Sequence, residues 1–225
     1  MVARTGTLKK ESAQTAREEQ SKPKIHDVTG VILAGGKSNR YGENKALVKF
    51  EGIPLIQRVI NVLDGIFPRL IIITNTPGEY AHLGLPMYED LIKELGPIGG
   101  IYTGLSVMEG DLGFFVACDM PFLNEALIRH LLLCGEDYDA VIPRVDWKIE
   151  ALHSLYHRRL IPIIKEHIDL GLYQVIRVFS KIRVKYVDEE EIRAFDPELK
   201  TFININRPDD LALNLNQPEG GSNHG

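Results

Sequence analysis

Short apolar runs of strand length alternate along this chain with segments whose apolar residues recur every three or four positions. The runs at residues 69–75 ("RLIIITN") and 113–120 ("GFFVACDM") are almost continuously apolar, which is typical of strands buried on both faces of a parallel sheet. Residues 54–66 show the helical spacing behind a proline. This alternation predicts an α/β fold, with an open, mostly parallel sheet covered by helices on both faces. In such a sheet, ligands bind beyond the carboxyl ends of the strands.

The remaining elements follow from the same patterns. We expect further strands at residues 28–35, 139–144, 150–157 and 182–188. We expect further helices at residues 76–84, 97–110, 122–135, 158–170 and 208–215. Asn124 is the predicted N-cap of the helix at 122–135, and Gly135 its stop. His153 falls within a predicted strand, where we expect it to be a packed side chain rather than a catalytic one.

The length of the chain limits its domain organisation. With 225 residues, 44% of them apolar, it can bury one substantial core, and we predict a single domain at residues 28–215. Residues 1–27 mix charged and small polar residues without an apolar run. We therefore expect a disordered or weakly attached extension there, rather than a signal peptide, and a flexible tail at residues 216–225.

Composition argues against several classes of protein. The longest apolar runs have strand length, so no membrane span is expected. The formal net charge of −5 at pH 7 argues against broad nucleic-acid binding, which needs a basic surface. Cys118 and Cys134 lack the spacing of a metal cage or a disulfide framework. We expect a cytoplasmic protein that binds neither membrane nor nucleic acid.

The stretch "GVILAGGKSNRYGENKALVKF" at residues 30–50 suggests a phosphate-binding loop, but it is not a Walker loop, because that pattern requires glycine where Val31 stands. Gly35 and Gly36 instead end the first predicted strand, where the backbone can approach a ligand and donate N–H bonds. The cations that follow are Lys37, Arg40, Lys45 and Lys49. On this pattern alone, an ordinary solvated loop is favoured over a nucleotide-phosphate cradle.

Two acidic residues follow predicted strands. Asp119 ends the run "FFVACD", which delivers its carboxylate to the same sheet edge as Gly35. Because Mg²⁺ bound to polyphosphates is usually held by one or two carboxylates, Asp119 is the first metal-ligand candidate; a helix cap before Pro121 is the alternative. Asp90 follows the strand-like piece "PMYED", and on chemistry alone it is better interpreted as a solvated loop acid.

Taken together, six segments resemble the molybdenum cofactor guanylyltransferases, the MobA-type family of nucleotidyltransferases. They are "ILAGGKSNRYGENKAL", "ITNTP", "YEDLIKELGPIGGI", "ACDMPF", "EALHSLY" and "FININRPDDL", in the family's order within residues 29–215. The glycine-rich start alone is shared by many nucleotidyltransferases, whereas the combination is far more specific. The resemblance implies a Rossmann-like, doubly wound sheet of the nucleotide-diphospho-sugar transferase type.

The resemblance also implies site residues. Leu33-Ala34-Gly35-Gly36 has the form associated with GTP, and the missing Cβ at Gly35 leaves room for a purine. Lys45, Asn75 and Asp90 match nucleotide contacts, and Asp119 matches the Mg²⁺ ligand. The expected nucleotide-binding set is Leu33, Ala34, Gly35, Gly36, Lys37, Lys45, Asn75, Asp90 and Asp119, and the expected catalytic set is Lys45, Arg40 and Asp119.

The second substrate implied by the resemblance is the anionic molybdopterin cofactor. It would lie near "EALHSLY" and near Asn204 and Asn206, whose spacing in a strand-like piece puts both amides on one face. Turn or cap chemistry before Pro208 is an equally good interpretation of these asparagines. The family commonly offers arginine in the helix after Gly171, where this chain has "GLYQVIRV"; Arg177 is the candidate replacement.

The expected reaction is transfer of GMP from GTP to the terminal phosphate of the molybdenum cofactor, with release of pyrophosphate. The expected cofactor is Mg²⁺, and proteins that deliver or receive the molybdenum cofactor are possible partners. Two alternatives stay open: a guanylyl- or cytidylyltransferase for another phosphorylated small molecule, and a non-catalytic nucleotide-binding or cofactor-assembly protein of the same fold.

Overall fold

The computed structural model describes residues 28–35 and 44–205, in which strands and helices alternate. The strands are β1 (Val28–Leu33), β2 (Lys49–Phe50), β3 (Ile53–Pro54), β4 (Arg69–Ile73), β5 (Met87–Tyr88), β6 (Leu112–Ala117), β7 (Ala140–Val145), β8 (Lys148–Ile149), β9 (His153–His157) and β10 (Val184–Asp188). The α-helices are α1 (Leu55–Asp64), α2 (Pro77–Tyr80), α3 (Pro97–Val107), α4 (Glu125–Leu133), α5 (Ile161–Asp169) and α6 (Glu189–Arg193). Short 3₁₀ helices lie at Lys45–Leu47, Ala81–Leu83, Arg158–Leu160, Val175–Lys181 and Lys200–Phe202.

Eight strands form one sheet in the order β10-β7-β9-β6-β1-β4-β5, with β8 paired to β7. The pairs β1–β4, β1–β6, β4–β5 and β7–β10 are parallel, whereas β9 is antiparallel to β6 and to β7. The predicted mostly parallel sheet is therefore confirmed, with β9 and the short β8 as the reversed strands.

Helices cover both faces of this sheet, as predicted. Alternate residues of β1 point to opposite faces because the strand period is two. Ile32 packs in a cluster with apolar residues of α1 and α4, whereas Val31 and Leu33 pack in a cluster with residues of α3 and α5. Both clusters consist largely of branched aliphatic side chains, so burial of apolar surface on the two faces stabilises the doubly wound arrangement.

The helix α3 lies very close to the sheet because its sequence carries glycines on the inner face. A Cβ at Gly104 would lie 2.5 Å from the Phe115 ring, and one at Gly100 would lie 3.2 Å from Leu33. The contact with Phe115 leaves no room for alanine without a shift of the helix. These glycines therefore allow α3 to pack closely against the sheet. This helix follows the loop that carries Asp90.

Several element boundaries differ from the predictions. The strand predicted at 150–157 begins at His153, and the helix predicted at 97–110 ends at Val107. The sequence patterns also missed the short strands β2, β3 and β8, because strands of two residues carry no periodicity. Asn124 does cap α4, its Oδ1 accepting from Leu127 N at 2.9 Å, and the helix ends at Leu133, just before Gly135.

Some expectations concern parts of the chain that the structure does not describe. The extension at residues 1–27, the helix at 208–215 and the tail at 216–225 all lie outside the described residues. Within the described ranges, no helix combines the length and apolar character needed to cross a bilayer. Cys118 and Cys134 are both free thiols, as expected.

His153 is a packed strand residue, as predicted. It is fully buried between the rings of Phe114 and Phe202, and neither ring nitrogen has a hydrogen-bond partner within the described part of the chain. Burial lowers the pKa of His153 to about 3. The folded protein thus keeps this imidazole neutral at mildly acidic pH, whereas the unfolded chain protonates it near the ordinary value of 6.5.

This difference predicts a pH dependence of stability. Because only the unfolded chain takes up the proton, the free energy of unfolding should fall as pH drops below 6.5, by about 2 kcal/mol from this group by about pH 5. We expect His153→Leu to lose that part of the dependence. Urea unfolding of both proteins across this pH range checks it, and parallel curves for the two would contradict it.

Candidate active site

Four strands end at a common level at one edge of the sheet. The residues side by side at this level are Leu33, Ile73, Tyr88 and Ala117. The residues two positions further along each chain segment are Gly35, Asn75, Asp90 and Asp119. Four residues that were predicted from separate parts of the sequence thus lie two positions beyond the same level of the sheet. We call this group the edge quartet.

The edge quartet lies at the point where the strand order reverses. After β1 the chain adds β4 and β5 on one side and then returns to place β6 on the other. Such a switch point opens a crevice outside the strand ends. The regular backbone pairing continues one residue past the strands. Ala34 N donates to Ile73 O at 2.9 Å, and Cys118 N donates to Leu33 O at 3.1 Å.

Gly35 presents backbone to this crevice. The side chains of Leu33 and Ala34 are buried, whereas Gly35 is exposed. A Cβ added at Gly35 would meet no described atom within 4 Å, and its backbone does not adopt the left-handed conformation that favours glycine. The fold therefore does not require glycine at this position, although a ligand lying against the backbone would. Gly36, Lys37 and Arg40 lie outside the described residues.

The Asp119 carboxylate is partly buried beyond the end of β6, and it does not cap a helix, since Asn124 has that role. Burial raises the pKa of Asp119 above its ordinary value. A hydrogen bond from its own backbone N–H and the charge of Lys45 act in the opposite direction without cancelling this effect. The folded chain thus brings Lys45 near Asp119 but leaves the carboxylate short of compensating charge.

Lys45 is held at this edge by a pair of residues that the sequence analysis missed. Asn44 caps the 3₁₀ turn at Lys45–Leu47, its Oδ1 accepting from Ala46 N at 3.0 Å. Its Nδ2 donates to the hydroxyl of Tyr80 at 2.8 Å. Tyr80 is almost fully buried, and burial raises its pKa to about 12. A neutral, anchored phenol therefore fixes the residue next to Lys45.

Asn75 and Asp90 form a reciprocal pair. Asn75 Nδ2 donates to Asp90 Oδ2 at 2.7 Å, and the Asp90 backbone N–H donates to Asn75 Oδ1 at 3.1 Å. The backbone just beyond is fixed by Thr103 of α3, whose Oγ1 accepts from Leu91 N at 2.9 Å. Asp90 Oδ1 is shielded from solvent and has no hydrogen-bond partner among the described residues. Such an unpartnered acceptor is unusual in a folded protein.

The residues predicted to bind the second substrate do not all lie at this edge of the sheet. Ile205 N donates to the Asp119 carbonyl at 2.9 Å, which brings the exposed Asn204 to the same edge. As far as residue 205, this segment is irregular backbone after a 3₁₀ helix rather than the strand-like piece that the sequence suggested. Asn206 lies outside the described residues. Arg177 is exposed on the 3₁₀ helix Val175–Lys181, where its Nε donates to Gln174 Oε1 at 3.1 Å.

Residues 30–186 match the family described as the MobA-like NTP transferase domain, well over half of the chain. The chain belongs to this family. The resemblance found in the glycine-rich start and in the five later segments is thus confirmed.

Relatives of this MobA-like chain agree in their descriptions. A molybdenum cofactor guanylyltransferase of Desulfosudis oleivorans is 36% identical over 186 residues, covering 82% of this chain and 92% of the relative. The crystal structure of molybdopterin-guanine dinucleotide biosynthesis protein A from Archaeoglobus fulgidus superposes with a TM-score of 0.72 at 29% identity, covering 82% of this chain and 95% of that one.

The fold extends to more distant proteins. A 4-diphosphocytidyl-2C-methyl-D-erythritol synthase from Anaerococcus prevotii gives a TM-score of 0.64 at 11% identity, covering 84% of this chain and 97% of that one. At this identity the likeness concerns the fold alone, and it agrees with the doubly wound, mostly parallel sheet predicted from the sequence.

Proposed function

We propose that this MobA-like protein transfers GMP from GTP to the terminal phosphate of the molybdenum cofactor, releasing pyrophosphate and giving molybdopterin guanine dinucleotide. The observation that carries the proposal is the edge quartet, which presents an open backbone, an amide and two carboxylates at one switch point. The names of the relatives indicate the substrates, and the quartet supplies the groups that would bind GTP.

The nucleotide would lie across the ends of β1, β4 and β5. Gly35 offers open backbone there, and the Asp90 carboxylate, two residues beyond the end of β5, would accept hydrogen bonds from donors of the nucleoside. Asn75 would hold that carboxylate in place through its two hydrogen bonds. The family's glycine-rich segment, with Gly36, Lys37 and Arg40, would close around the phosphates.

Asp119 fits a divalent cation. Its carboxylate is partly buried, and its raised pKa reflects a charge that the surrounding protein does not fully compensate. Within the described ranges, the one group of three closely spaced potential ligands, His130, Cys134 and Glu191, does not include Asp119. One carboxylate plus phosphate oxygens and water is the usual shell of Mg²⁺ on a nucleotide. Bound at Asp119, Mg²⁺ would supply charge neutralisation at the phosphates.

The chain's own residues would act mainly by position and charge. A phosphate monoester is ionised at neutral pH, so the attacking oxygen on the α-phosphorus of GTP needs no general base. Lys45, with Arg40 and Lys37, would stabilise the negative charge that accumulates as pyrophosphate leaves. Asp119 would hold the metal, and Lys45 is close enough to favour the charged form of the Asp119 carboxylate.

The acceptor would lie on the far side of Asp119 from the nucleotide. The segment leading into β9 lies there, since Ala117 N donates to Leu152 O at 3.1 Å. Asn204 and Asn206, on either side of Ile205, would bind the pterin. Arg177 lies on the 3₁₀ helix whose Phe179 stacks on Tyr156, level with the opposite end of β6, so it would not meet a phosphate held at Asp119. Proteins that deliver the cofactor to this edge, or receive the product from it, are part of the same proposal.

Pyrophosphate release tests the proposal. We expect release to require GTP, Mg²⁺ and the molybdenum cofactor together. Equal release with CTP, or with a sugar phosphate in place of the cofactor, would identify a different transferase. Tight GTP binding without release under any of these conditions would identify a non-catalytic protein.

Gly35→Ala tests the placement of the nucleotide. Because an added Cβ meets no described protein atom, the melting temperature should not change. If the nucleobase occupies that space, kcat/KM for GTP should fall by about 10-fold or more, the scale of one added methyl in a fitted pocket. Gly78→Ala is the matched control, since Gly78 also has open space at its Cβ but lies on α2. Equal activity of both variants would contradict the placement.

A further inference from the structure

Trp147 is the only tryptophan of the chain, and 86% of its surface is exposed. It lies at the tip of the β7–β8 hairpin, next to Asp146. Large aromatic side chains contribute most to stability when they are buried, and this one buries little surface. Among the described residues, Trp147 therefore lies outside the packed core.

The backbone at this turn is also unfavourable for tryptophan. Asp146 and Trp147 have φ angles of 47° and 63°, in the left-handed region. Two-residue hairpin turns with two such angles favour Asn-Gly or Asp-Gly, because a Cβ is disfavoured there. The Asp146 N–H donates to Glu189 Oε2 at 3.0 Å and holds the turn. A bulky side chain kept in strained backbone at full exposure points to use outside the fold.

The hairpin leaves the sheet at the same edge as the active site. β9 connects the two regions, because Val116 of β6 pairs with His153 and Glu150 N donates to Pro143 O of β7 at 3.0 Å. The end of β7 is two strands from the end of β6, a lateral distance of about 10 Å. Along the sheet, Asp119 lies between the nucleotide side at β1, β4 and β5 and the Trp147 side at β7.

The indole is supported on one side by Arg144. The guanidinium carbon lies 5.7 Å from the Trp147 ring centroid and 5.0 Å from that of Tyr186. Arg144 is itself fixed by Asp188, with Nε 2.7 Å from Oδ1. The indole is thus pre-oriented next to a cation and exposed to solvent. This arrangement suits the stacking of a flat heterocycle on the exposed indole.

We propose that Trp147 is a stacking subsite for the pterin ring of the acceptor, a proposal that rests on the proposed function. The reaction brings two flat ring systems to the site. The guanine belongs to the side of Gly35 and Asp90, so the ring that meets Trp147 is the acceptor's. The phosphate arm of the acceptor then spans from Trp147 to Asp119.

Steady-state kinetics with GTP and the molybdenum cofactor test the subsite. We expect Trp147→Ala to raise the KM for the cofactor by about 10-fold, the scale of one lost stacking partner, with the KM for GTP unchanged. Trp147→Phe should restore most of the loss. Leu133→Ala, which removes another exposed apolar side chain at the end of α4, should change neither constant. An unchanged cofactor KM in Trp147→Ala, or an equal rise in the KM for GTP, would overturn the proposal.

A second measurement separates this proposal from the proposed function. With a single tryptophan, the intrinsic indole fluorescence reports on Trp147 alone. We expect molybdopterin, added without GTP, to quench it with saturation, and GTP with Mg²⁺ to leave it unchanged. Saturable quenching without any GMP transfer would overturn the transferase and support the subsite. Transfer without quenching would overturn the subsite alone.

Discussion

Asp119→Asn is expected to lower Mg²⁺-dependent pyrophosphate release by ~10² or more, because the amide keeps the shape of the side chain but removes the charge that would hold the metal. The assay is initial velocity with GTP and the molybdenum cofactor at saturating Mg²⁺. Asp111→Asn is the matched control: Asp111 is an exposed carboxylate just before the opposite end of the same strand, β6. Near-normal release by Asp119→Asn would remove Asp119 from the mechanism.

The same variant should not lose stability. The pKa of Asp119 is raised in the folded protein, so at neutral pH the ionised form is less favourable in the folded state than in the unfolded chain. Removing that charge should leave the free energy of unfolding at pH 7 unchanged or higher, in the absence of metal and nucleotide. Urea unfolding of the two proteins measures this. A clear loss of stability would indicate that Asp119 serves the fold instead.

Lys45→Ala is expected to lower kcat/KM for GTP by about 10² or more, the scale of losing one preorganised group that stabilises transition-state charge. Lys45 has a defined place because Asn44 caps its turn and is anchored on Tyr80. Lys49→Ala is the control, since Lys49 is an exposed lysine of the same segment, in β2. We expect Lys49→Ala to change kcat/KM by less than about threefold. A loss below threefold in Lys45→Ala itself would contradict the role of this residue.

The long-range order of the fold could be predicted because it follows from local patterns. The apolar run at β6 and the helical spacing at α1 each reflect burial of a whole element. Because parallel strands end at the same edge of a sheet, the residues that follow these strands could then be placed near one another. The direction of β9 could not be predicted, because an antiparallel strand with both faces buried has the same composition as a parallel one.

The contacts between individual side chains of the site could not be predicted from the sequence. Asn44 and Tyr80 are 36 residues apart, and Asn75 and Asp90 are 15 apart, so no periodicity connects either pair. Chemistry alone favoured a solvated loop for Asp90, and only the family resemblance moved it into the site. In the structure, Asp90 forms reciprocal hydrogen bonds with Asn75, and its other carboxylate oxygen has no partner among the described residues. Trp147 carried no signal in sequence, since its exposure and strained backbone appear only in the fold.

The fate of the α-phosphate of GTP distinguishes nucleotidyl transfer from other uses of GTP. With GTP labelled at the α-phosphate, we expect the label to enter a guanine dinucleotide of the molybdenum cofactor, with one pyrophosphate released per product and only when the cofactor and Mg²⁺ are both present. Mass spectrometry of the product and the recovered label report this. Label that remains in free GMP or GDP, or phosphate released in place of pyrophosphate, would contradict nucleotidyl transfer at the edge quartet.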